Sequence, residues 1–340
     1  MLLYFYEGGN MKISKKIKLC STTILLIAFA ITCLVIVLPS NHILAQKNIE
    51  YTNTTKINLK SWLSNINNEV LINTINIPGS HDSAASNVAL SYKSQCQNYT
   101  IYNQLNFGIR YLDVRLSDKD SNIFLCHGPI TCYKNNGSKY LYKDLLNECS
   151  KFLNENPSEF IIINVKNEQM SSNIQNFNKK VDDETLTIVN AQNLYISDEI
   201  PKLKVVRGKI ILNKRFSIDD TVVGHLNWIN QPHPKIDESL YEKSESKQLI
   251  AFSQDQFKLS KKDKKIAITT FINKSILPEN GYRLCFFSNS GNFFASPKNF
   301  INSFEYNQNN FAVLKRRKGF ILIYDFCNEE KTNYLILTNF

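Results

Sequence analysis

Phe160-Ile161-Ile162-Ile163-Asn164-Val165 runs straight into Lys166, Asn167 and Glu168, and Phe320-Ile321-Leu322-Ile323-Tyr324 runs into Asp325. Neither run alternates apolar with polar residues. Both therefore fit strands covered on two faces, as in a parallel sheet, better than half-exposed strands. Similar runs lie at Leu71–Ile77, Ile109–Leu116, Ile123–Cys126, Lys209–Leu212, Leu249–Phe252 and Leu284–Phe287, with polar, helix-capable stretches between them. Eight such strands in about 280 residues suit an α/β fold closed as a barrel. Periodicity alone leaves an open doubly wound sheet as the alternative.

The residues just after each run are more informative. Pro78-Gly79-Ser80-His81-Asp82 comes after the first and His127-Gly128 after the third. Lys166 and Glu168 come after the fourth, Lys214 and Arg215 after the fifth, Asp255 after the sixth and Asp325 after the eighth. A barrel carries its reactive groups at the C-terminal ends of its strands. Asp113 and Arg115 stand two apart in one run, so both face the same side. Of five histidines, His42 lies in the N-terminal segment, and His225 and His233 lie in a loop-like stretch. His81 and His127 each end a strand run beside glycine, and two imidazoles at one site make a natural base and acid pair.

Composition narrows the chemistry further. The chain has 43% hydrophobic and 21% charged residues, which excludes disorder and fibre. It has only 11 glycines, and no G-x-G-x-x-G or G-x-x-x-x-G-K-[ST], so the common nucleotide cradles are missing. Nor does it contain H-E-x-x-H, C-x-x-C or G-x-S-x-G, which argues against zincin, zinc-ribbon, thioredoxin and serine-hydrolase chemistry.

The segment Thr22–Pro39 is almost wholly apolar and is preceded by Lys12, Lys15, Lys16 and Lys18. That is the pattern of an export signal, and its length also suffices for an uncleaved anchor. Residues 1–46 are therefore expected to be a signal peptide or N-terminal membrane anchor, with translation starting at Met11. Residues 47–340 are expected to form the barrel, outside the cell or on the outer face of its membrane. Removing residues 1–46, with four basic and one acidic residue, leaves 36 basic against 29 acidic, net +7. A basic exported protein is drawn to anionic surfaces such as acidic lipid or nucleic acid. Six cysteines remain, Cys96, Cys126, Cys132, Cys149, Cys285 and Cys327. Their spacing selects no disulfide pairing, and buried thiols are an equal reading.

Ile77-Pro78-Gly79-Ser80-His81-Asp82-Ser83, Gly108-Ile109-Arg110-Tyr111-Leu112-Asp113-Val114-Arg115 and His127-Gly128 occur in that order. Asn156-Pro157-Ser158-Glu159-Phe160 and Val165-Lys166-Asn167-Glu168 come next, then Arg207–Ile211, Lys214-Arg215-Phe216, Gln254–Phe257 and Tyr324-Asp325-Phe326. The ordered set resembles the X domain of bacterial phosphatidylinositol-specific phospholipase C over about residues 58 to 340. The resemblance implies an imperfect (β/α)8 barrel of the TIM type. It also implies a lyase in which the inositol 2-hydroxyl attacks phosphorus, giving diacylglycerol and inositol 1,2-cyclic phosphate.

By the same resemblance His81 is the general base, Asp325 its partner, His127 the general acid and Asp82 the group coupled to it. Arg115 binds the phosphate and Asp113 aims the basic groups. Lys166, Arg215, Asp255 and Phe257 hold the head group, although the family often has tyrosine at the last position. Animal relatives carry an acidic calcium ligand where this chain has Arg115. A guanidinium there supplies permanent charge and repels Ca²⁺, so no metal cofactor is expected. Phe293 and Phe294, after the seventh run, are candidates for an apolar rim facing phosphatidylinositol in an anionic membrane surface. GPI anchors are a second candidate substrate class, and a monomer is expected. The alternatives are a catalytically silent inositol-lipid-binding protein and a glycerophosphodiester phosphodiesterase on a similar barrel. The latter class relies on acidic metal ligands, against which Arg115 argues. A nucleic-acid partner is not expected, because the charges converge on strand ends and form no long basic tract.

Overall fold

The computed structural model describes residues 57–118, 122–168, 173–216, 222–290 and 295–340. The apolar segment in residues 1–46 lies outside the described residues, as do Phe293 and Phe294. Among the described residues, no helix is long and apolar enough to cross a membrane.

The strands are β1 (Ile77–Ser80), β2 (Tyr111–Ser117), β3 (Phe124–His127), β4 (Ile130–Thr131), β5 (Phe160–Asn167), β6 (Leu194–Tyr195), β7 (Lys209–Arg215), β8 (Ile250–Gln254), β9 (Gly281–Phe286) and β10 (Phe320–Tyr324). Their hydrogen-bonded order is β6-β7-β5-β2-β1-β10-β9-β8, every pair parallel. The fold is α/β, an imperfect barrel of eight parallel strands with helices outside. It is imperfect because β6 and β8 do not pair. Asn280 bridges their flanking loops instead, donating to Asp198 O at 2.6 Å and Gln248 O at 2.8 Å while accepting from Ile200 N at 3.0 Å.

Two of the eight expected strands need correction. Leu71–Ile77 is mostly a 3-10 turn at Ile72–Thr74, and β1 begins at Ile77. Its isoleucines are buried because they plug the barrel floor. Ile123–Cys126 does become β3, but that strand pairs antiparallel with β2 and β4 and stands off the barrel path. Gly128, at φ +56, turns β3 into β4 as a hairpin. The eighth parallel strand is β6, whose two residues are too short to show as a run.

Register explains how the interior is layered. Tyr111, Ile162 and Ile211 stand side by side across β2, β5 and β7. Two residues further on come Asp113, Asn164 and Asn213, then Arg115, Lys166 and Arg215. Strand periodicity of two sends all nine side chains inward. The lowest layer joins Ile77, Tyr282, Leu284, Ile321 and Ile323 in one core, closed beneath by Trp62, Leu63, Ile72 and Ile75. Each such side chain contributes about 1.5–3 kcal/mol by leaving water.

Outside, the helix Tyr142–Glu155 buries Tyr142, Leu145, Leu146, Cys149, Phe152 and Leu153, the three-and-four spacing of one face. Lys261–Lys274 starts at Ser260, whose Oγ accepts the Asp263 N–H at 3.1 Å. Beneath the barrel, Arg110 and Glu159 form an ion pair of 2.8 Å with both side chains fully buried. Every nitrogen of that guanidinium is used: Nε and Nη2 donate to Glu159, Nη1 to Leu105 O and Ile109 O, and Nη2 also to Lys60 O.

Candidate active site

The C-terminal ends of the strands surround a cavity of about 690 Å³. Of the ten residues expected to act on substrate, His81, Arg115, His127, Lys166, Arg215, Asp255, Phe257 and Asp325 line it. Asp82 and Asp113 are buried directly behind that wall. Lys214, the other strand-end cation, points outward and pairs with Asp182 at 2.6 Å, as its position between two inward residues requires.

His81 comes directly after β1 and is held from both sides. Its Nδ1 lies 2.8 Å from Asp325 Oδ1 at the end of β10, and its Nε2 lies 2.9 Å from Arg115 Nη2 on β2. Arginine can only donate, so Nε2 is an acceptor and Nδ1 carries the proton to Asp325. This leaves a lone pair on the nitrogen facing the cavity. Burial alone pushes the imidazole pKa down, but Asp325 and Asp82 more than offset it, so His81 titrates above its ordinary 6.5. Arg115 works in the opposite direction.

Asp82 adopts φ 41, which turns its carboxylate back under the cavity. Its Oδ1 lies 3.0 Å from Arg115 Nε, and its Oδ2 faces His127 Nε2 at 3.2 Å. Asp113 accepts the Asp82 N–H at 3.3 Å and lies 3.5 Å from Arg115 Nη2. Glu168 completes the ring at 3.1 Å from Arg115 Nη1 and 2.7 Å from Lys166 Nζ. Burial opposes the Arg115 charge, but Asp82, Asp113 and Glu168 overcome that and hold it firmly cationic. Burial would likewise raise Glu168, yet Arg115 and Lys166 bring its pKa down to about 2. Lys166 is lowered, first by burial and then by Arg115.

Arg115, Lys166 and Arg215 are ladder neighbours, so three cations stand on adjacent strands about 4.8 Å apart. Such a row favours an anion in the cavity. Arg215 binds Asp255 at 3.2 Å and stacks its guanidinium 3.5 Å over the Trp228 ring. Trp228 Nε1 also donates to Asp255 Oδ2 at 3.0 Å. Phe257 is half-buried on the same side, anchored through its backbone to Gln231 O and Ser290.

Several residues of the site have no role that the sequence alone assigns. Glu168 is visible there as a strand-end charge, without a partner to give it a task. Trp228 sits in the loop-like stretch around His225 and carries no local signal. Gln97 donates to the backbone carbonyls of His81 at 2.7 Å and Tyr324 at 3.2 Å and accepts from Cys327 N, tying the His81 and Asp325 loops together. Cys96 is a free, fully buried thiol in the cavity wall, and all six described cysteines are free and buried. Two triplets have ligand atoms within 4.8 Å of one another: His81, Cys96 and Asp325; and Asp82, Cys96 and His127.

The PI-PLC X 1 family model matches residues 69–206, a span holding His81, Asp82, Asp113, Arg115, His127 and Lys166. This chain is 32% identical over 169 residues to a 1-phosphatidylinositol phosphodiesterase of Listeria monocytogenes, covering 46% of this chain and 49% of that one. A protein of the same name from Staphylococcus aureus is 28% identical over 167 residues, covering 46% and 51%. The match thus spans about half the length of these curated relatives. The fold extends further. The phosphatidylinositol-specific phospholipase C of Listeria monocytogenes superposes with TM-score 0.65 at 24% identity, over 84% of this chain and 100% of that one. A histidine-to-tyrosine mutant of the Staphylococcus aureus phosphatidylinositol-specific phospholipase C gives 0.67 at 21%, over 83% and 97%.

Proposed function

We propose that this protein is a member of the PI-PLC X family and cleaves phosphatidylinositol by intramolecular attack of the inositol 2-hydroxyl on phosphorus. The observation that carries the reading is His81 held between Asp325 on Nδ1 and Arg115 on Nε2. His81 Nε2 takes the 2-hydroxyl proton as the new O–P bond forms. Asp325 fixes the tautomer and stabilises the imidazolium that results. Arg115, drawn from Nε2 to the phosphate, spreads its planar donors over the non-bridging oxygens. Asp113 and Glu168 keep its aim. The bond to the diacylglycerol oxygen breaks, and His127, coupled to Asp82, gives that oxygen a proton. The product is inositol 1,2-cyclic phosphate. The nucleophile belongs to the substrate, so much of the orientation is supplied before binding.

Lys166, Arg215 and Asp255 offer charged hydrogen-bonding groups to ring hydroxyls, and Phe257 offers a flat apolar face. A divalent cofactor is unnecessary in this scheme because Arg115 supplies the charge. Phosphatidylinositol lies in a membrane, and exposed Leu90 and Tyr92 stand beside Lys93 on the cavity rim. We assign membrane docking to them together with Phe293 and Phe294. Residues 1–46 export the chain, as a cleaved signal or a retained anchor, so that it acts outside the cell.

The test is ³¹P NMR of the full chain with phosphatidylinositol vesicles in excess chelator, and then with GPI-anchored protein. Cyclic inositol phosphate is expected from the wild type and not from His81→Ala. Activity that appears only when Ca²⁺ is added would overturn the metal-independent scheme. No product under either condition would favour a silent lipid-binding protein.

A further inference from the structure

The buried thiol of Cys96 lies between the two histidine–carboxylate pairs, and the mechanism gives it no task. We propose that Cys96, Asp82 and His127 form an inhibitory site for a thiophilic divalent cation such as Zn²⁺. As an inhibitory site this rests on the proposed lyase reading; as a binding site it does not.

Three independent observations support it. First, the ligand atoms of Asp82, Cys96 and His127 lie within 4.8 Å of one another; Cys96 and His127 line the cavity and Asp82 is buried behind its wall. Two ligands about 2.0–2.1 Å from a tetrahedral zinc are about 3.3 Å apart. Asp82 Oδ2 and His127 Nε2 are already 3.2 Å apart. Second, Asp82 is 2% exposed, and its Oδ2 has no fixed donor but faces the titratable imidazoles of His127 at 3.2 Å and His81 at 3.7 Å. A buried carboxylate oxygen left in that state is poised for a cation. Third, of the charged groups that act most on the thiol, Asp325, Asp82 and Asp113 are anionic and Arg115 is cationic. The immediate surroundings of the thiol are therefore mostly negative, although the Arg115, Lys166 and Arg215 row stands across the same cavity.

The same anions make the free thiol hard to ionise. Burial first, then Asp325 and Asp82, raise the Cys96 pKa well above its ordinary value. A nucleophilic or easily oxidised thiol is thereby disfavoured. A bound metal reverses the balance, because its charge holds the thiolate. On binding, Cys96 loses its proton to water and a Zn–S bond forms. One thiolate and one carboxylate neutralise the dication, and His127 completes three protein ligands, leaving the fourth position to water from the cavity. The metal then takes the place of Asp82 as the partner of His127 Nε2, and the imidazole can no longer serve as the acid coupled to that carboxylate. Ca²⁺ and Mg²⁺ prefer several oxygen ligands and gain little from a thiolate.

The experiment uses the full chain, stripped of metal, titrated with Cd²⁺ as a spectroscopic stand-in for Zn²⁺. We expect a cadmium–thiolate absorbance saturating at about one ion per chain. Cys96→Ser is expected to abolish it, and Cys285→Ser to retain it. On vesicles, Zn²⁺ is expected to slow product formation at least about tenfold, reversibly by chelator, with Ca²⁺ and Mg²⁺ without effect. Cys96→Ser should keep its cleavage activity and lose that sensitivity. Retained cadmium absorbance in Cys96→Ser, or equal zinc inhibition of that variant, would overturn the site. His127→Ala is a second probe and should weaken cadmium binding while leaving the thiol present. If the wild type cleaves no phosphatidylinositol, the lyase reading fails, and the cadmium titration still decides the metal site.

Discussion

The barrel has a charged cluster at each end, and the two are built to opposite specifications. At the floor, Arg110 meets Glu159 with both side chains fully buried and every guanidinium nitrogen donating. At the mouth, Arg115 meets three carboxylates but stays 14% exposed. Buried polar atoms there are left without hydrogen bonds, among them His127 Nδ1, Asp113 Oδ1 and both amide atoms of Asn164. A saturated cluster has nothing left to offer a ligand and serves to hold the chain. An unsaturated one keeps bonding capacity in reserve, as a site must if it is to bind and react. Charge and burial look alike in the two places; the unmet hydrogen bonds separate them.

Mutations should therefore divide cleanly between the ends. His81→Ala is expected to lower kcat by up to about 10⁴-fold with little change in the urea midpoint. Activity within a few-fold of wild type would remove His81 as the base. Glu159→Ala should do the reverse. It strands a buried guanidinium and should cost about 3–5 kcal/mol of unfolding free energy. The fraction that remains folded should cleave at the wild-type rate, which kcat normalised to the folded fraction from circular dichroism can check. Arg115→Lys keeps the charge but loses the fork, and should reduce kcat/KM by about 10²–10³-fold. A near-normal value would make Arg115 a mere charge, interchangeable with any cation.

A smaller effect is expected in pH dependence. The proposed base works in its neutral form, and the His81 pKa is raised above 6.5, so kcat/KM should rise with pH through that raised value. Asp325→Asn removes the main raising influence and leaves Asp82 alone raising against burial and Arg115, both lowering. Its acidic limb should move to lower pH even as the rate falls. A limb that moves upward would mean that another group titrates. The smallest change is Phe257→Tyr, which returns a hydroxyl to the rim and should alter KM by only a few-fold.

The strong parts of this fold are legible in the sequence because β5 and β10 are long and buried on both faces. Leu71–Ile77 misleads because a floor plug must be as apolar as a strand, and composition does not distinguish them. β3 passes for a barrel strand because a four-residue hairpin arm has the same apolar content. β6 escapes notice because two residues carry no period. In the site, residues at strand ends announce themselves. Trp228, Gln97 and Cys96 do not, because each acts through a partner far away in the chain. Trp228 meets Asp255 from 27 residues away, and Gln97 meets Cys327 from 230.

β1 pairs with β10 through four residues and with β2 through only two. The first strand of the barrel thus depends most on the last, and His81 and Asp325 are 244 positions apart when they meet. Closing so long a loop is slow, and its entropy must be met before the contact returns anything. During synthesis a chain that stops short of β10 can form helices and the β2-β5-β7 ladder, but it cannot orient its imidazole. The imidazole therefore gains its Nδ1 partner only once the last strand of the barrel has been added.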